Sequence, residues 1–235
     1  PGGVDEADGR RHHLHPPLSA GTDAAAPIIL PCGANGPAPS LFTPAALPVP
    51  AAPTANRVRI IGGSMRGRIL RFPPAPGLRP TPDRVRETLF NWLGQDLSGR
   101  RCLDLYAGTG ALSLEAVSRG AALAVAIERQ PALARALAAN GGTLGATTLE
   151  VHAGDAAAWL ARESRHFDIV FADPPFAEDP WPWLLPLCAE RLAPGGFVYA
   201  EAGRALVPPP ALSPWRQDKA GQVHYHLFRP SGSAR

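Results

Sequence analysis

An apolar run of strand length recurs along the chain from residue 101, and most of these runs are followed by a helical pattern. The predicted strands are residues 102–106, 123–128, 147–152, 167–172 and 197–201. The predicted helices are residues 110–119, 131–140, 156–165 and 181–191, with Gly141-Gly142 and Pro194-Gly195-Gly196 closing the second and fourth. Alternating strands and helices indicate a doubly wound parallel sheet with right-handed crossovers.

Different patterns stand at the two ends of this region. Residues 58–61 and 68–72 are β-like runs separated by a glycine-rich stretch, which predicts a hairpin. Thr81-Pro82-Asp83 predicts a helix start with Thr81 as N-cap, and Arg84 and Arg86 are expected to lie largely off its buried face. Residues 215–229 contain two alternating runs that suit an antiparallel hairpin at a sheet edge.

Together these elements predict an α/β fold. Its sheet is doubly wound, seven-stranded and mostly parallel, and a small N-terminal β-hairpin and helix extend it. Ligands of such sheets bind at the carboxyl ends of the strands, where the strand order reverses. The candidate residues described below fall at strand ends of this kind, which favours one common site.

Composition sets the boundaries of this fold. Residues 1–55 are crowded with Pro, Ala and Gly and show no sustained periodicity. Such a segment cannot bury enough apolar surface to offset its ordering entropy, so a disordered tail is predicted. The chain then divides into this tail, a basic hairpin and helix over 56–97, an α/β domain over 98–230, and a short tail over 231–235.

Several classes of protein are disfavoured by simple counts. No run approaches the roughly 18 apolar residues that span a bilayer, so no membrane association is expected. The three cysteines, Cys32, Cys102 and Cys188, have no metal-site spacing and form no even disulfide set. Cytoplasmic localisation is therefore expected. No metal site is predicted, because the clustered histidines His12, His13 and His15 lie in the tail.

The net charge is only +3, but arginines are concentrated between residues 57 and 86, where Asp83 is the one acid. Arginine donates planar, bidentate hydrogen bonds that match phosphate oxygens. A solvated surface would be the ordinary interpretation of such a run. Its density favours contact with nucleic acid, and the residues predicted to bind RNA are Arg57, Arg59, Arg66, Arg68, Arg79, Arg84 and Arg86.

The sequence Asp173-Pro174-Pro175-Phe176 follows the buried strand at 167–172. Two prolines fix the backbone and remove two N–H donors, so nearby carbonyls stay free to accept hydrogen bonds. Asp173 adds an acceptor, and Phe176 offers a face for stacking. This arrangement suits a flat base with an exocyclic amine. A plain strand-ending turn, with Phe176 in the core, is the alternative.

A second group of candidates would bind a cofactor. Asp104, Tyr106, Gly108, Thr109 and Gly110 run from a strand into a helix, where the glycines allow a ligand to approach the backbone closely. The same loop occurs in dinucleotide folds. Their fingerprint requires a third glycine, and this chain has Ser113 there.

The acids around this loop narrow the choice of cofactor. Asp104 would repel a pyrophosphate but could receive an ammonium group. Glu128, at the end of the second predicted strand, could accept both ribose hydroxyls of a nucleoside. Asp155 could bind an adenine amine or act as an ordinary helix N-cap, and the two roles are compatible.

These motifs, in this order, resemble class I S-adenosylmethionine-dependent methyltransferases that act on exocyclic amines. The upstream segments 59–63, 66–68, 78–81 and 83–93 are similar to the RsmD family of bacterial 16S rRNA guanine-N2 methyltransferases. The resemblance covers about residues 57–230. Tyr106 stands where Phe is usual, and Thr109 where Ser is common.

The resemblance implies methyl transfer from S-adenosylmethionine to the N2 amine of one guanine in 16S rRNA. It also implies that the substrate is an assembled small ribosomal subunit, and we expect the protein to be a monomer. Asp173, Pro174, Pro175 and Phe176 would then be catalytic. Three alternatives remain open: an adenine-N6 methyltransferase, an NAD-dependent oxidoreductase and a non-catalytic RNA-binding module.

Overall fold

A computed structural model describes residues 56–78 and 80–232 of the 235-residue chain. The strands are β1 (Asn56–Arg59), β2 (Ile69–Phe72), β3 (Arg101–Asp104), β4 (Leu123–Glu128), β5 (Leu149–Ala153), β6 (Phe167–Ala172), β7 (Leu192–Ala202), β8 (Leu212–Ala220) and β9 (Val223–Pro230). The helices are α1 (Asp83–Leu93), α2 (Ala111–Ser118), α3 (Pro131–Leu144), α4 (Ala156–Leu160) and α5 (Trp181–Glu190). The predicted tail at 1–55, residues 233–235 and Arg79 lie outside the described residues.

Seven strands form one sheet in the order β5-β4-β3-β6-β7-β9-β8. β3 to β7 are parallel, and β9 is antiparallel to both β7 and β8. The predicted fold class and the C-terminal hairpin at the sheet edge are confirmed. The chain moves outward from β3 to β5 and then returns to the other side of β3. The resulting reversal of order lies between β3 and β6, and ligands bind beside such a reversal.

The sheet is buried on both faces. Cys102, Ile169 and Phe171 pack into the cluster under α1, α2 and α3. Their neighbours Leu103 and Val170 pack into the opposite cluster under α4 and α5. Side chains of a strand alternate between faces, so a strand covered on both sides reads as a continuous apolar run. This explains why the parallel strands were visible in the sequence.

The N-terminal extension is a two-stranded antiparallel hairpin of β1 and β2, followed by α1. Its turn is fastened to the end of α2. The backbone N–H of Ser64 donates to the Ser118 carbonyl at 2.7 Å, and the backbone N–H of Met65 donates to the Ser118 hydroxyl at 2.8 Å. The predicted hairpin and helix therefore pack onto the α/β domain as one compact unit.

A buried carboxylate, Glu115 of α2, joins the extension to the domain. It accepts hydrogen bonds from the backbone N–H groups of Ile61 at 2.9 Å and Gly62 at 2.7 Å. Its ion-pair partners are Arg119 at 2.8 Å and Arg86 at 3.5 Å. Breaking such a buried pair leaves an uncompensated charge, which makes single substitutions costly.

The prediction that Arg86 lies off the buried face of its helix is wrong. Its side chain is fully buried, and it donates to the Thr81 and Arg59 carbonyls as well as to Asp83 and Glu115. Because none of its surface is exposed, Arg86 is not available to RNA. The charge count could not distinguish this residue from its exposed neighbours, because two of its partners, Arg59 and Glu115, come from distant segments.

Several boundary predictions are also wrong, among them that of α4, which ends at Leu160 rather than at residue 165. Pro82, not Thr81, is the N-cap of α1, and no side chain caps that end. Helix α3 continues through Gly141-Gly142 to Leu144, and Gly145 ends it in the left-handed conformation (φ 67°). Pro194-Gly195-Gly196 lies inside β7 rather than before it.

Tight backbone packing explains the last of these differences. A Cβ at Gly196 would lie 2.8 Å from the Asp168 carbonyl oxygen. The pairing of β7 with β6 shifts register between Phe167 and Ile169, whose partners are Leu192 and Phe197. The glycine therefore permits a close approach inside a bulged strand.

None of the helices in the described part of the chain is long and apolar enough to cross a membrane.

Candidate active site

Three carboxylates meet at the carboxyl ends of β3, β4 and β6. Asp104 ends β3, Glu128 ends β4, and Asp173 directly follows β6. β3 pairs with β4 on one side and with β6 on the other. Asp104 and Asp173 are close enough for the charge of Asp104 to raise the pKa of Asp173. The structure thus brings together the glycine loop and the proline-rich segment at the reversal of strand order.

The glycine loop turns sharply between β3 and α2. Gly108 and Gly110 both have positive φ, at 51° and 77°, which favours glycine. A Cβ at Gly110 would lie 2.0 Å from Cδ1 of Leu137, so any other residue would have to displace that side chain in addition to adopting the positive φ. The hydroxyl of the buried Thr109 accepts a hydrogen bond from the backbone N–H of Ala111 at 3.3 Å. The first turn of α2 is fixed in this way.

Glu128 is oriented by two backbone donors. One carboxylate oxygen accepts from the N–H of Gly108 at 2.8 Å, and the other accepts from the N–H of Gln130 at 2.6 Å. Each oxygen retains capacity for a second hydrogen bond. Glu128 therefore holds the loop in place and still has acceptor sites for a pair of hydroxyl groups.

Asp104 is buried, and its Oδ2 accepts a hydrogen bond from the Ser113 hydroxyl at 2.8 Å. Burial raises the pKa of Asp104 to about 7, although the hydrogen bonds from Ser113 lower it and the charge of Glu128 raises it further. A buried acid with this pKa gains most from a cationic ligand, because a cation restores its charged form.

The proline-rich segment presents one buried and one exposed part. Asp173 is partly buried, Pro174 is buried, and Pro175 and Phe176 are exposed. The Phe176 ring is 47% exposed and lies near the backbone of Gly203. The alternative in which Phe176 is a core residue is therefore excluded. Its ring is available to a flat ligand at the edge of the site.

Sequence reasoning missed two neighbours of Asp173. Thr81, expected to be an N-cap, is buried and donates a hydrogen bond to Oδ2 of Asp173 at 3.5 Å. Glu201, near the end of β7, is also buried, and its Oε1 accepts from the Tyr199 hydroxyl at 2.7 Å. An acid at the end of a buried strand could have identified Glu201. No local signal marked Thr81, which reaches the site across 92 positions of sequence.

These groups change the titration of Asp173. Burial raises the pKa of Asp173 well above its usual range, the charges of Glu201 and Asp104 raise it further, and the Thr81 hydrogen bond lowers it. Burial also raises the pKa of Glu201 to about 7, against the hydrogen bonds from Tyr199 and Thr81. The site is therefore a cluster of acids, and no cation is among the main influences on the pKa of Asp173 or Glu201.

The remaining cofactor candidates surround this cluster. Asp155 is the N-cap of α4, where one oxygen accepts from the N–H of Ala158 at 3.0 Å. The N-cap role is confirmed, and the adenine contact remains a prediction. Tyr106 is partly buried beside the loop. Leu78, from the segment before α1, lies against Gly108, so the N-terminal extension borders the glycine loop.

Five of the seven predicted RNA-binding arginines are exposed, on the hairpin and the first turn of α1. They are Arg57, Arg59, Arg66, Arg68 and Arg84. Arg59 pairs with Asp83 at 3.0 Å, an exposed contact of modest strength. Arg86 is buried, and Arg79 lies outside the described residues. Within residues 56–78 and 80–232, no group of three or more His, Cys, Asp or Glu side chains could hold a metal ion.

Comparison with known proteins shows the family to which this chain is similar. The family model described as "Conserved hypothetical protein 95" matches residues 58–229. Ribosomal RNA small subunit methyltransferase D of Escherichia coli K12 is 42% identical over 180 residues, which cover 74% of this chain and 91% of that protein. The Haemophilus influenzae protein of the same name is 37% identical over 182 residues, covering 74% and 94%.

The chain is also similar in fold and sequence to solved structures of methyltransferases. YhhF from Escherichia coli is 43% identical, with a TM-score of 0.68 and coverage of 74% of this chain and 98% of that chain. The T. thermophilus 16S rRNA N2 methyltransferase RsmC, solved with AdoMet and guanosine, is 26% identical, with a TM-score of 0.61. That match covers 79% of this chain and 52% of the other.

Proposed function

The chain belongs to the family of bacterial ribosomal RNA small subunit methyltransferases D, and we propose that it methylates the exocyclic N2 amine of one guanine in 16S rRNA. The observation that carries this proposal is the position of Asp173. Its carboxylate stands beside Asp104 and the glycine loop at the reversal of strand order. A methyl donor and an amine acceptor must meet at such a place.

The acidic site fits S-adenosylmethionine. Its buried carboxylates favour a cationic ligand and disfavour a pyrophosphate, and this observation opposes an NAD-dependent oxidoreductase. Asp104 would hold the ammonium group, Glu128 the ribose hydroxyls, and the free oxygen of Asp155 the adenine amine. When bound, S-adenosylmethionine supplies a methyl group that its sulfonium makes electrophilic.

The residues after β6 would hold the acceptor base. Asp173 and the Pro174 carbonyl accept hydrogen bonds from the exocyclic amine, which favours a more tetrahedral and more nucleophilic nitrogen. Phe176 stacks on the base once it has left its own stack. Asp173 then accepts the proton that the amine loses. Positioning is the main contribution, because it turns an encounter into an oriented contact.

The basic surface of the extension would bind the RNA backbone. Its exposed arginines stand on the hairpin and on α1, and the segment between these two elements borders the glycine loop through Leu78. Phosphate contacts of this kind orient a nucleic acid without reading its sequence. We propose that the partner is 16S rRNA within an assembled small subunit, and that the protein acts as a monomer without a metal ion.

Adenine N6 remains the principal rival target, since the same group of acceptors holds either exocyclic amine. Guanine is favoured by the resemblance to the RsmD family and by the similarity to the 16S rRNA N2 methyltransferase RsmC, solved with guanosine, rather than by the geometry. The decisive experiment incubates the purified protein and S-adenosylmethionine with small subunits from a strain that lacks the endogenous enzyme. Mass spectrometry of the digested rRNA should detect N2-methylguanosine. Detection of N6-methyladenosine, or of no methylated base, would overturn the assignment.

Two measurements separate the chemical roles. Asp173→Ala should abolish methyl transfer and leave the affinity for S-adenosylmethionine nearly unchanged, as measured by calorimetric titration. Full turnover in that variant would remove Asp173 from the mechanism. Parallel titration with NAD should give no binding, whereas tight binding of NAD alone would favour an oxidoreductase.

A further inference from the structure

Two acids, the partly buried Asp173 and the buried Glu201, lie side by side on adjacent strands. β6 and β7 are paired in register at Ala172 and Ala200. The residue that follows each alanine in the chain is an acid: Asp173 follows Ala172, and Glu201 follows Ala200. The two carboxylates are close enough for the charge of Glu201 to raise the pKa of Asp173. Glu201 has no other assigned role, although burying a carboxylate is costly.

A single hydroxyl group serves both acids. Thr81 donates to Oδ2 of Asp173 at 3.5 Å, and its hydrogen bond also lowers the pKa of Glu201. The hydroxyl carries one proton, so it donates to one carboxylate at a time. Asp173, Glu201 and Thr81 therefore form one hydrogen-bonded group, in which a substitution at one residue changes the pKa of the remaining acids.

Two tyrosine hydroxyl groups and a third carboxylate lie around Asp173, Glu201 and Thr81. These other titratable groups are Tyr199 on β7, Tyr225 on β9 and Asp104 on β3. Tyr199 donates to Glu201, while the Tyr225 hydroxyl is directed away to Asp218 at 2.8 Å. None of the main influences on the pKa of Asp173 is a cation. Like charges held this close disfavour a doubly ionised pair.

We propose that Glu201 and Thr81 are positioning residues for Asp173, with Glu201 opposing its ionisation by charge and Thr81 favouring it by a hydrogen bond. This inference rests on the proposed function, because it assigns Asp173 the proton lost by the target amine. In that step the N–H bond breaks, its electron pair stays on nitrogen, and the proton adds to a carboxylate oxygen of Asp173. Glu201 makes that oxygen a stronger base than an isolated carboxylate.

The two residues should act in opposite directions on the pH profile of turnover. Glu201→Gln keeps the shape of the side chain and removes its charge, so the acid limb of kcat should move to lower pH. Thr81→Val removes the hydrogen bond, so the acid limb should move to higher pH. Each shift should reach about half a pH unit, which is a factor of about three in the proton dissociation constant. A purely structural role would lower activity without opposite shifts.

Two matched controls accompany these variants. Thr81→Ser keeps the hydroxyl and should keep the wild-type acid limb. Glu190→Gln removes an exposed carboxylate of α5 and should leave the whole profile unchanged. Acid limbs of Glu201→Gln and Thr81→Val that superimpose on the wild type, or move in the same direction, would overturn the proposal.

A second measurement does not depend on turnover. Carbon-13 NMR titration of aspartate-labelled protein, assigned with Asp173→Asn, reports the pKa of Asp173 directly. It should fall in Glu201→Gln and rise in Thr81→Val, and an unchanged value in both would overturn the inference. If the wild-type protein methylates no RNA, the proposed function is wrong. The interaction between Asp173 and Glu201 is then still tested by this titration, which does not require activity.

Discussion

The hydroxyl of Ser113 donates a hydrogen bond of 2.8 Å to the buried carboxylate of Asp104. Ser113 occupies the position at which a dinucleotide fold has its third glycine. The serine is therefore more than a departure from that fingerprint, because its hydroxyl supports the ionised form of the acid proposed to bind an ammonium group. This contact connects the first turn of α2 to the end of β3.

Replacing Ser113 by alanine should weaken the binding of S-adenosylmethionine. Loss of the hydrogen bond raises the pKa of Asp104 above its present value of about 7, so less of the acid is ionised at neutral pH. The expected loss is about tenfold at pH 7, or about 1.4 kcal/mol, and should shrink at higher pH. Calorimetry over a pH series checks this. The exposed Ser164→Ala should match the wild type, and a pH-independent loss in Ser113→Ala would contradict the prediction.

Asp104→Asn should stabilise the ligand-free protein at pH 8. The folded acid retains its proton to about pH 7, whereas the unfolded acid loses it near 3.8. The free energy of unfolding of the wild type therefore falls as the pH rises between these values and is constant above them. The variant lacks this loss, which is on the order of 4 kcal/mol.

Urea denaturation at pH 4 and at pH 8 measures the effect. Removing the exposed Asp96 by Asp96→Asn should give no such gain, because the pKa of Asp96 is lowered by its hydrogen bonds from Ser98. Equal pH dependence in Asp104→Asn and the wild type would show that Asp104 is charged in the folded state.

Phe176→Ala should impair RNA methylation without affecting stability. The ring is half exposed, so its loss removes little buried surface. Stacking of one base on an aromatic ring contributes about 1–3 kcal/mol, which predicts a fall of about five- to 160-fold in kcat/KM for RNA. Phe176→Tyr retains the ring and serves as the matched control. A lowered melting temperature, or unchanged methylation, would contradict a stacking role.

Arg86 and Arg84 provide a matched pair on one helix. Arg86→Ala leaves Glu115 and several carbonyls without their buried partner, so it should lower the free energy of unfolding by about 3–5 kcal/mol. Arg84→Ala should leave stability unchanged and weaken RNA binding, with a salt dependence shallower by about one phosphate contact. Urea denaturation and RNA titration at several salt concentrations distinguish the two. A folded Arg86→Ala with a specific loss of RNA affinity would contradict this assignment.

The sequence alone determined the α/β alternation, the glycine loop and the position of Asp173-Pro174-Pro175-Phe176. β4 and β6 were predicted with their observed bounds, because strands covered on both faces are continuous apolar runs. The ends of these two strands could be recognised because the continuous apolar run stops there. The topology of parallel sheets then requires that those ends share one edge.

The tertiary structure alone decided which polar residues are buried and which meet. Arg86 and Arg84 are two positions apart and equally charged, yet only Arg86 faces Glu115, which lies 29 positions away. Thr81 reaches Asp173 over 92 positions, and Glu201 joins them from a neighbouring strand. Such contacts depend on how separate elements pack, whereas periodicity describes only residues within one element.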